Sequence, residues 1–302
     1  VNLADIAARA GLSGTALVSV GDRTWHTGDI DARFVIYSIT KPVISAAFLL
    51  LEAEGVLDLR ASAAALLGDD RFDVSLRQLL NHTSGIRDYG QLPAYHDAVY
   101  RSPSRPWPDE ALLRRSMAGG PDFAPGHGWA YSNTGYILLR AILDHHGGLA
   151  SLLPALGFTS ATVAENLTAF DDAVPARSAR IGAGRHRVAG RYHPGWVGHR
   201  TLVTSARELH HFWTRPPSAF LDPATFVPVG TVPGSFARPS YGLGVMADPD
   251  SPLGLVIGHG GGGPGYSASV FAAPGKKAVA IVLEPTEDFP GELALDLLKA
   301  AV

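Results

Sequence analysis

The chain has 302 residues, 46% of them hydrophobic, with a formal net charge of −3 and no cysteine. This length can bury the core of one large domain or of two lobes sharing it, and the missing thiols exclude Cys nucleophiles, Cys-ligated zinc, iron-sulfur clusters and disulfides together. The slightly acidic balance offers no positive field to a nucleic-acid backbone, and apolar runs such as residues 46–51 fall far short of the roughly 20 that a membrane helix needs, so a soluble chain is expected, cytoplasmic or secreted with its signal removed.

Residues 2–10 read as a short helix closed by Gly11, and 15–20 alternate as a strand that turns at Gly21-Asp22 and returns over 23–27. From 40 to 54 apolar positions recur at helical spacing until Gly55, and Pro42 suits the first turn, where its missing N–H has no partner to lose. Ser38 and Lys41 stand at the head of that helix. Residues 66–215 mix helical runs such as 110–117 and 134–145 with Pro- and Gly-rich loops and read as a mostly helical lobe. Short β-rich runs follow at 241–247, 253–258, 267–272 and 278–284, and a helix at 292–301 closes the chain. The expected fold class is α+β: an antiparallel meander, completed by the N-terminal hairpin and covered by the terminal helices. Residues 1–65 and 216–302 then make a sheet lobe and 66–215 a helical lobe, with the active site in the cleft between them.

Ser38-Ile39-Thr40-Lys41 sets a hydroxyl and an amine on one side of a helical turn. A serine hydroxyl is a weak nucleophile until a base takes its proton, and an amine can do so once burial and nearby cations lower its pKa. The helix start adds orphan N–H groups for a developing oxyanion. Alone, the pair is better read as an N-capping serine beside a solvated lysine.

Three further segments bear on the choice: Tyr131-Ser132-Asn133, His259-Gly260-Gly261, and the Leu-Leu-Asn-His-Thr-Ser-Gly-Ile run at 79–86. In this order and at these separations, along nearly the whole chain, the motifs resemble the class C β-lactamase and D-alanyl-D-alanine carboxypeptidase superfamily. These penicillin-recognising serine hydrolases include esterases and D-aminopeptidases. The resemblance implies a β-lactamase/transpeptidase-like fold and a serine hydrolase acting through an acyl-enzyme on a small ester, amide or peptide, with no cofactor and no metal. It implies Ser38 as nucleophile, Lys41 and Tyr131 exchanging its proton and delivering one to the leaving group, and Asn133 hydrogen-bonding both Lys41 and the substrate's acyl side chain. The oxyanion hole would be the N–H groups of Ser38 and Gly262. His259, with Lys41, is the available cation for a Tyr131 phenolate, and either Lys41 or Tyr131 can be the base. The competing structural readings are a half-buried aromatic at Tyr131, a helix cap at Asn133, a strand histidine at 259 and a flexible turn at 260–263.

Two departures from the family pattern concern substrate. The third motif begins with His259 where typical β-lactamases of the family have Lys; an imidazole with an unperturbed pKa of ~6.5 is only partly charged at neutrality, which points to peptides, amides or esters rather than antibiotics. Gly260 and Gly261 beside it are candidate substrate contacts. His199 and Arg200 replace small residues in a stretch that approaches the cleft in relatives, so both are candidate substrate contacts, Arg200 for a carboxylate, with an outward-facing surface pair as the alternative. The adjacent pairs His145-His146 and His210-His211 lack the spacing of a zinc face, and Asp69-Asp70 and Asp171-Asp172 read as solvated turn acids. Residues 260–263 lack the Lys-Ser/Thr of a phosphate loop, and 265–269 lack the last glycine of a nucleophile elbow. Beside hydrolysis stand acyl transfer or peptide cyclisation, a true β-lactamase, and an inactive binding module.

Overall fold

The computed structural model describes residues 2–176, 179–181, 184–230 and 236–302. Helix α1 (Leu3–Arg9) starts where the Asn2 side chain accepts the Ala4 N–H at 3.0 Å. Strands β1 (Thr15–Val20) and β2 (Arg23–Thr27) form the hairpin, β3 (Arg33–Val35) follows, and a single tight turn at Tyr37–Ile39 leads into α2 (Thr40–Ala53). Next come α3 (Ala63–Leu67), α4 (Leu76–Leu80), α5 (Pro93–Arg101), α6 (Asp109–Met117), α7 (Asn133–Asp144) and α8 (Gly148–Leu152). Short strands β4 (Thr162–Ala164), β5 (Ala179–Ile181), β6 (Gly184–His186) and β7 (Thr201–Ser205) precede α9 (Ala206–Thr214). The last third holds β8 (Val227–Pro228), β9 (Ser240–Tyr241), β10 (Met246–Asp248), β11 (Val256–Gly263), β12 (Tyr266–Ala273), β13 (Ala278–Glu284) and α10 (Gly291–Ala301).

Among the described residues the main sheet runs β2-β1-β13-β12-β11-β10-β9-β8 with every neighbour antiparallel, so the meander and the N-terminal hairpin meet as the sequence predicts. Strand β13 is buried on both faces: Val279, Ile281 and Leu283 join the core that holds Leu209 and Trp213 of α9, while Ala278, Ala280 and Val282 pack with Leu297 and Leu298 of α10. Double burial explains its unbroken apolar run. Among the described residues no helix is long and apolar enough to cross a membrane.

Four expectations change. The run 241–247 is two strands, β9 and β10, because Gly244 takes a left-handed φ of 79° in the turn between them. The strand expected at 253–258 begins at Val256 and continues through the glycines to Gly263, since Gly260 to Gly263 pair in register with Ser269 to Tyr266. The region read as mostly helical also contributes β7 and β4 to a small sheet of order β3-β7-β4. Helix α9, placed by sequence with the helical lobe, packs on β13 and β1 because its apolar face is what covers that side of the sheet.

The ladder between β10 and β11 ends at Gly258, so among the described residues 259–263 pair with β12 alone. There β11 runs beside the Tyr37–Ile39 turn.

Candidate active site

The turn carrying Ser38 is pinned on both sides. The Ile36 N–H donates to the Leu202 carbonyl at 3.1 Å, and Thr40 Oγ1 accepts the Leu202 N–H at 3.0 Å, which ties the turn to β7. Tyr37 takes a left-handed φ of 44°, a conformation that costs a side-chain-bearing residue about 1–3 kcal/mol and persists only where the surroundings impose it. They do so here: Tyr37 Oη donates to the Pro264 carbonyl at 2.6 Å, and its ring lies where a Cβ on Gly263 would come within 2.6 Å. Gly261 is pressed against the same turn, since a Cβ on it would stand 2.1 Å from the Ile36 carbonyl oxygen. Ser38 is left partly exposed between buried Tyr37 and Ile39.

Lys41, in the first turn of α2, is fully buried. Its Nζ lies 3.0 Å from Ser38 Oγ, 2.8 Å from Asn133 Oδ1 and 3.3 Å from His199 Nε2. Burial pushes the amine down to about 7, against the opposing pull of the Asp88 charge. Asn133 is the first residue of α7; the cap is Ser132, whose Oγ accepts the Gly135 N–H at 3.2 Å. Asn133 Nδ2 donates to both Asp88 oxygens at 3.1 Å, which fixes the amide with its oxygen toward Lys41. Asp88 also accepts the N–H groups of Gly90 at 3.0 Å and Asn133 at 3.1 Å. Burial raises its carboxyl above the usual range, while these donors and the Lys41 charge oppose the rise. The donor set is the one an ionised carboxylate takes.

Burial pushes the Tyr131 phenol well above its ordinary value, against the opposing influence of the Ser38 side chain. His82 holds it in place. This residue takes a left-handed φ of 62°, its ring lies 4.3 Å from the Tyr131 ring, its Nδ1 accepts the Ser132 N–H at 3.1 Å and its carbonyl accepts the Ala130 N–H at 3.1 Å. Burial, then the Lys41 charge, keeps the His82 ring uncharged.

The remaining candidates divide. His259 Nδ1 lies 2.6 Å from the Gly260 carbonyl, which can only accept, so Nδ1 carries the proton and Nε2 accepts the Tyr241 hydroxyl at 3.0 Å. Burial pushes this ring down to about 3. It is therefore neither the partly charged group read from sequence nor a cation for a Tyr131 phenolate. Gly262 lines a cavity of about 420 Å³ together with Ser38, Asn133 and His199. Gly260 does not, because Phe289 covers it: a Cβ there would stand 2.3 Å from that ring. Close packing accounts for the glycines at 260 and 261 without a substrate. Arg200 points elsewhere, 3.5 Å from Asp109, drawn by the opposite charge. His199 turns inward to Lys41 and is not the outward-facing partner of Arg200.

Asp88, His82 and Tyr241 were not singled out from sequence. His82 stands in the 79–86 run that carries the family resemblance, and Asp88 lies just beyond it; the only signal for them was that proximity.

An antiparallel sheet flanked by helices, with a Ser-x-x-Lys pair at the head of a buried helix, defines the class of β-lactamase-related serine hydrolases. The chain belongs to the β-lactamase family, whose family model matches residues 3–301. Penicillin-binding protein 4* of Bacillus subtilis is 34% identical over 122 residues, 40% of this chain and 26% of that protein. The D-aminopeptidase of Cereibacter sphaeroides is 27% identical over 240 residues, 76% of this chain and 45% of that protein, so the chain spans less than half the length of these curated relatives. A D-stereospecific amidohydrolase from Streptomyces sp. shares the fold with a TM-score of 0.78 at 24% identity, covering 94% of this chain and 93% of that one.

Proposed function

We propose that this chain cleaves an amide or ester bond through an acyl-enzyme on Ser38. The observation that carries the reading is the Lys41 amine, buried 3.0 Å from the Ser38 hydroxyl, with uncharged hydrogen-bond partners and a pKa held at about 7. At neutral pH a free base stands beside a partly exposed hydroxyl.

Lys41 Nζ takes the Ser38 proton as Oγ bonds to the substrate carbonyl carbon. The resulting oxyanion is met by the N–H groups of Ser38 and Gly262. The bond to the leaving amine or alcohol breaks as that group takes the Tyr131 hydroxyl proton, and the proton on Lys41 makes good the loss. Water then adds to the acyl carbon and gives a proton to Lys41; the carbon–Oγ bond breaks and Ser38 regains its hydrogen. Tyr131 is thus the donor and Lys41 the base, because burial holds the phenol protonated and leaves the amine poised.

The site occupies the cleft between the sheet lobe and the helical lobe, with the acyl side chain beside Asn133. The substrate we favour is a D-amino-acid amide or short D-peptide, on the strength of the D-aminopeptidase and D-stereospecific amidohydrolase relatives. An uncharged His259 supports this choice over β-lactams, since no permanent cation on that strand awaits their carboxylate.

Reaction with a fluorophosphonate, followed by peptide mapping, is expected to give one label on Ser38 that Ser38→Ala loses. A label on Ser84, Ser132 or Ser267 with Ser38 untouched overturns the assignment. A screen of D- and L-amino-acid amides, D-Ala-D-Ala peptides, p-nitrophenyl esters and a cephalosporin, run with and without added amine, reads the substrate. D-amides are expected to be fastest. A cephalosporin matching the best of them makes this a β-lactamase, and acyl transfer to the amine in place of water makes it an acyltransferase.

A further inference from the structure

We propose that His199 is a positioning residue for Lys41: its Nε2 accepts one N–H of the amine and so aims the amine's lone pair at the Ser38 hydroxyl. The inference rests on the reading of Lys41 as the base.

The turn that carries His199 is clamped. The Val197 carbonyl accepts the Arg200 N–H at 2.7 Å, and Arg200 takes a left-handed φ of 67°. The Gly198 N–H donates to Tyr89 Oη at 2.8 Å, and the Gly198 carbonyl accepts Arg140 Nε at 3.1 Å. A Cβ on Gly198 would stand 2.6 Å from Ile137, so the turn sits flat against α7. These ties direct the His199 ring inward, 2% exposed, with Nε2 3.3 Å from Lys41 Nζ and the ring edge-on to Tyr136 at 6.2 Å.

A neutral amine has two hydrogens and one lone pair. Asn133 Oδ1, oriented by Asp88, takes one hydrogen and His199 Nε2 takes the other. The direction left to the lone pair is that of Ser38 Oγ at 3.0 Å. Whenever Lys41 is an ammonium, Nε2 must be bare to face it, and burial with the Lys41 charge keeps the ring neutral. The ring's proton is therefore on Nδ1. Tyr37 offers a backbone contact to this ring, though Nδ1 itself closes no full hydrogen bond. The titratable and charged groups around the pair are Asp88, His82, Tyr131, Tyr136, His259 and Arg200, of which Asp88 favours the ammonium. Removing the His199 acceptor disfavours the ammonium and frees the amine to turn its lone pair away.

The test is the second-order rate of Ser38 labelling by a fluorophosphonate between about pH 5 and 9, which reports the free enzyme's base. His199→Leu keeps bulk without an acceptor; His199→Gln places an amide near the position of Nε2. Leu is expected to slow labelling on the alkaline plateau by about 10- to 100-fold and to move the acid limb to lower pH, and Gln to restore most of both. A folded His199→Leu with a plateau within about twofold of the parent and an unmoved limb overturns the proposal. If Leu does not fold, His199→Asn, too short to reach the amine, takes its place: slow Asn with fast Gln is expected, and equal rates overturn it. Failure of the underlying reading looks different, because Lys41→Met would then label as fast as the parent.

Discussion

Lys41 and His259 flank the same ring, with the amine 4.9 Å and the imidazole 6.2 Å from the centre of Tyr131, and both are sealed from water. Burial disfavours the charged form of each, yet it leaves them in opposite conditions. An amine that starts at 10.5 is brought down to about 7, while an imidazole that starts at 6.5 is brought to about 3. The first becomes a base poised at neutrality and the second a fixed neutral ring whose nitrogens hold Gly260 and Tyr241. On the proposed reading, a dry pocket makes a general base from a lysine and only a strut from a histidine, since desolvation moves both in one direction.

Lys41→Met should break the comparison most severely. Labelling of Ser38 is expected to fall by at least about 10³-fold, because among the described residues Lys41 is the one amine beside the hydroxyl. The same variant should gain stability. The folded-state pKa of Lys41, about 7, lies below its unfolded value of 10.5, so between those limits the unfolded chain binds the extra proton and wild-type stability rises with pH. The gain is greatest below pH 7, on the order of 5 kcal/mol at most, reduced by the acceptors left on Asn133 and His199. Thermal melts of both proteins across this range check it; parallel curves would remove Lys41 as a poised group.

Tyr131→Phe is expected to lower kcat by about 10²- to 10⁴-fold with the fold intact. The acid limb near 7 set by Lys41 should survive in that variant. Loss of that limb would make the phenol the base instead.

Asp88→Asn removes the charge that favours the Lys41 ammonium, so the acid limb should move to lower pH, with a fall in rate of about tenfold as Asn133 loses its anchor. A shift to higher pH contradicts the assigned charge.

The smallest effect is expected from His259→Gln, less than about tenfold in rate with the acid limb unmoved, because the ring contributes no charge to lose. A moved limb would show that this histidine titrates with the site after all.

The sequence by itself determined the antiparallel meander of β11, β12 and β13, because short turns can join strands in no other way, and it set Ser38 and Lys41 on one side of a turn, a spacing that fits a capping serine beside a solvated lysine until the other motifs join it. The ordered motifs carried the family. Tertiary structure alone decided the rest. Asp88 gains its importance from Asn133, 45 residues further on, and the direction of His199 comes from a turn held by Tyr89 and Arg140, neither adjacent in sequence. Strands as short as β3, β4 and β9 form because a partner lies beside them, which local propensity does not encode. The charge of His259 was equally beyond the sequence, since an imidazole's pKa depends on how much water its neighbours exclude, and those neighbours are assembled only when β9, β11 and the Tyr131 loop come together.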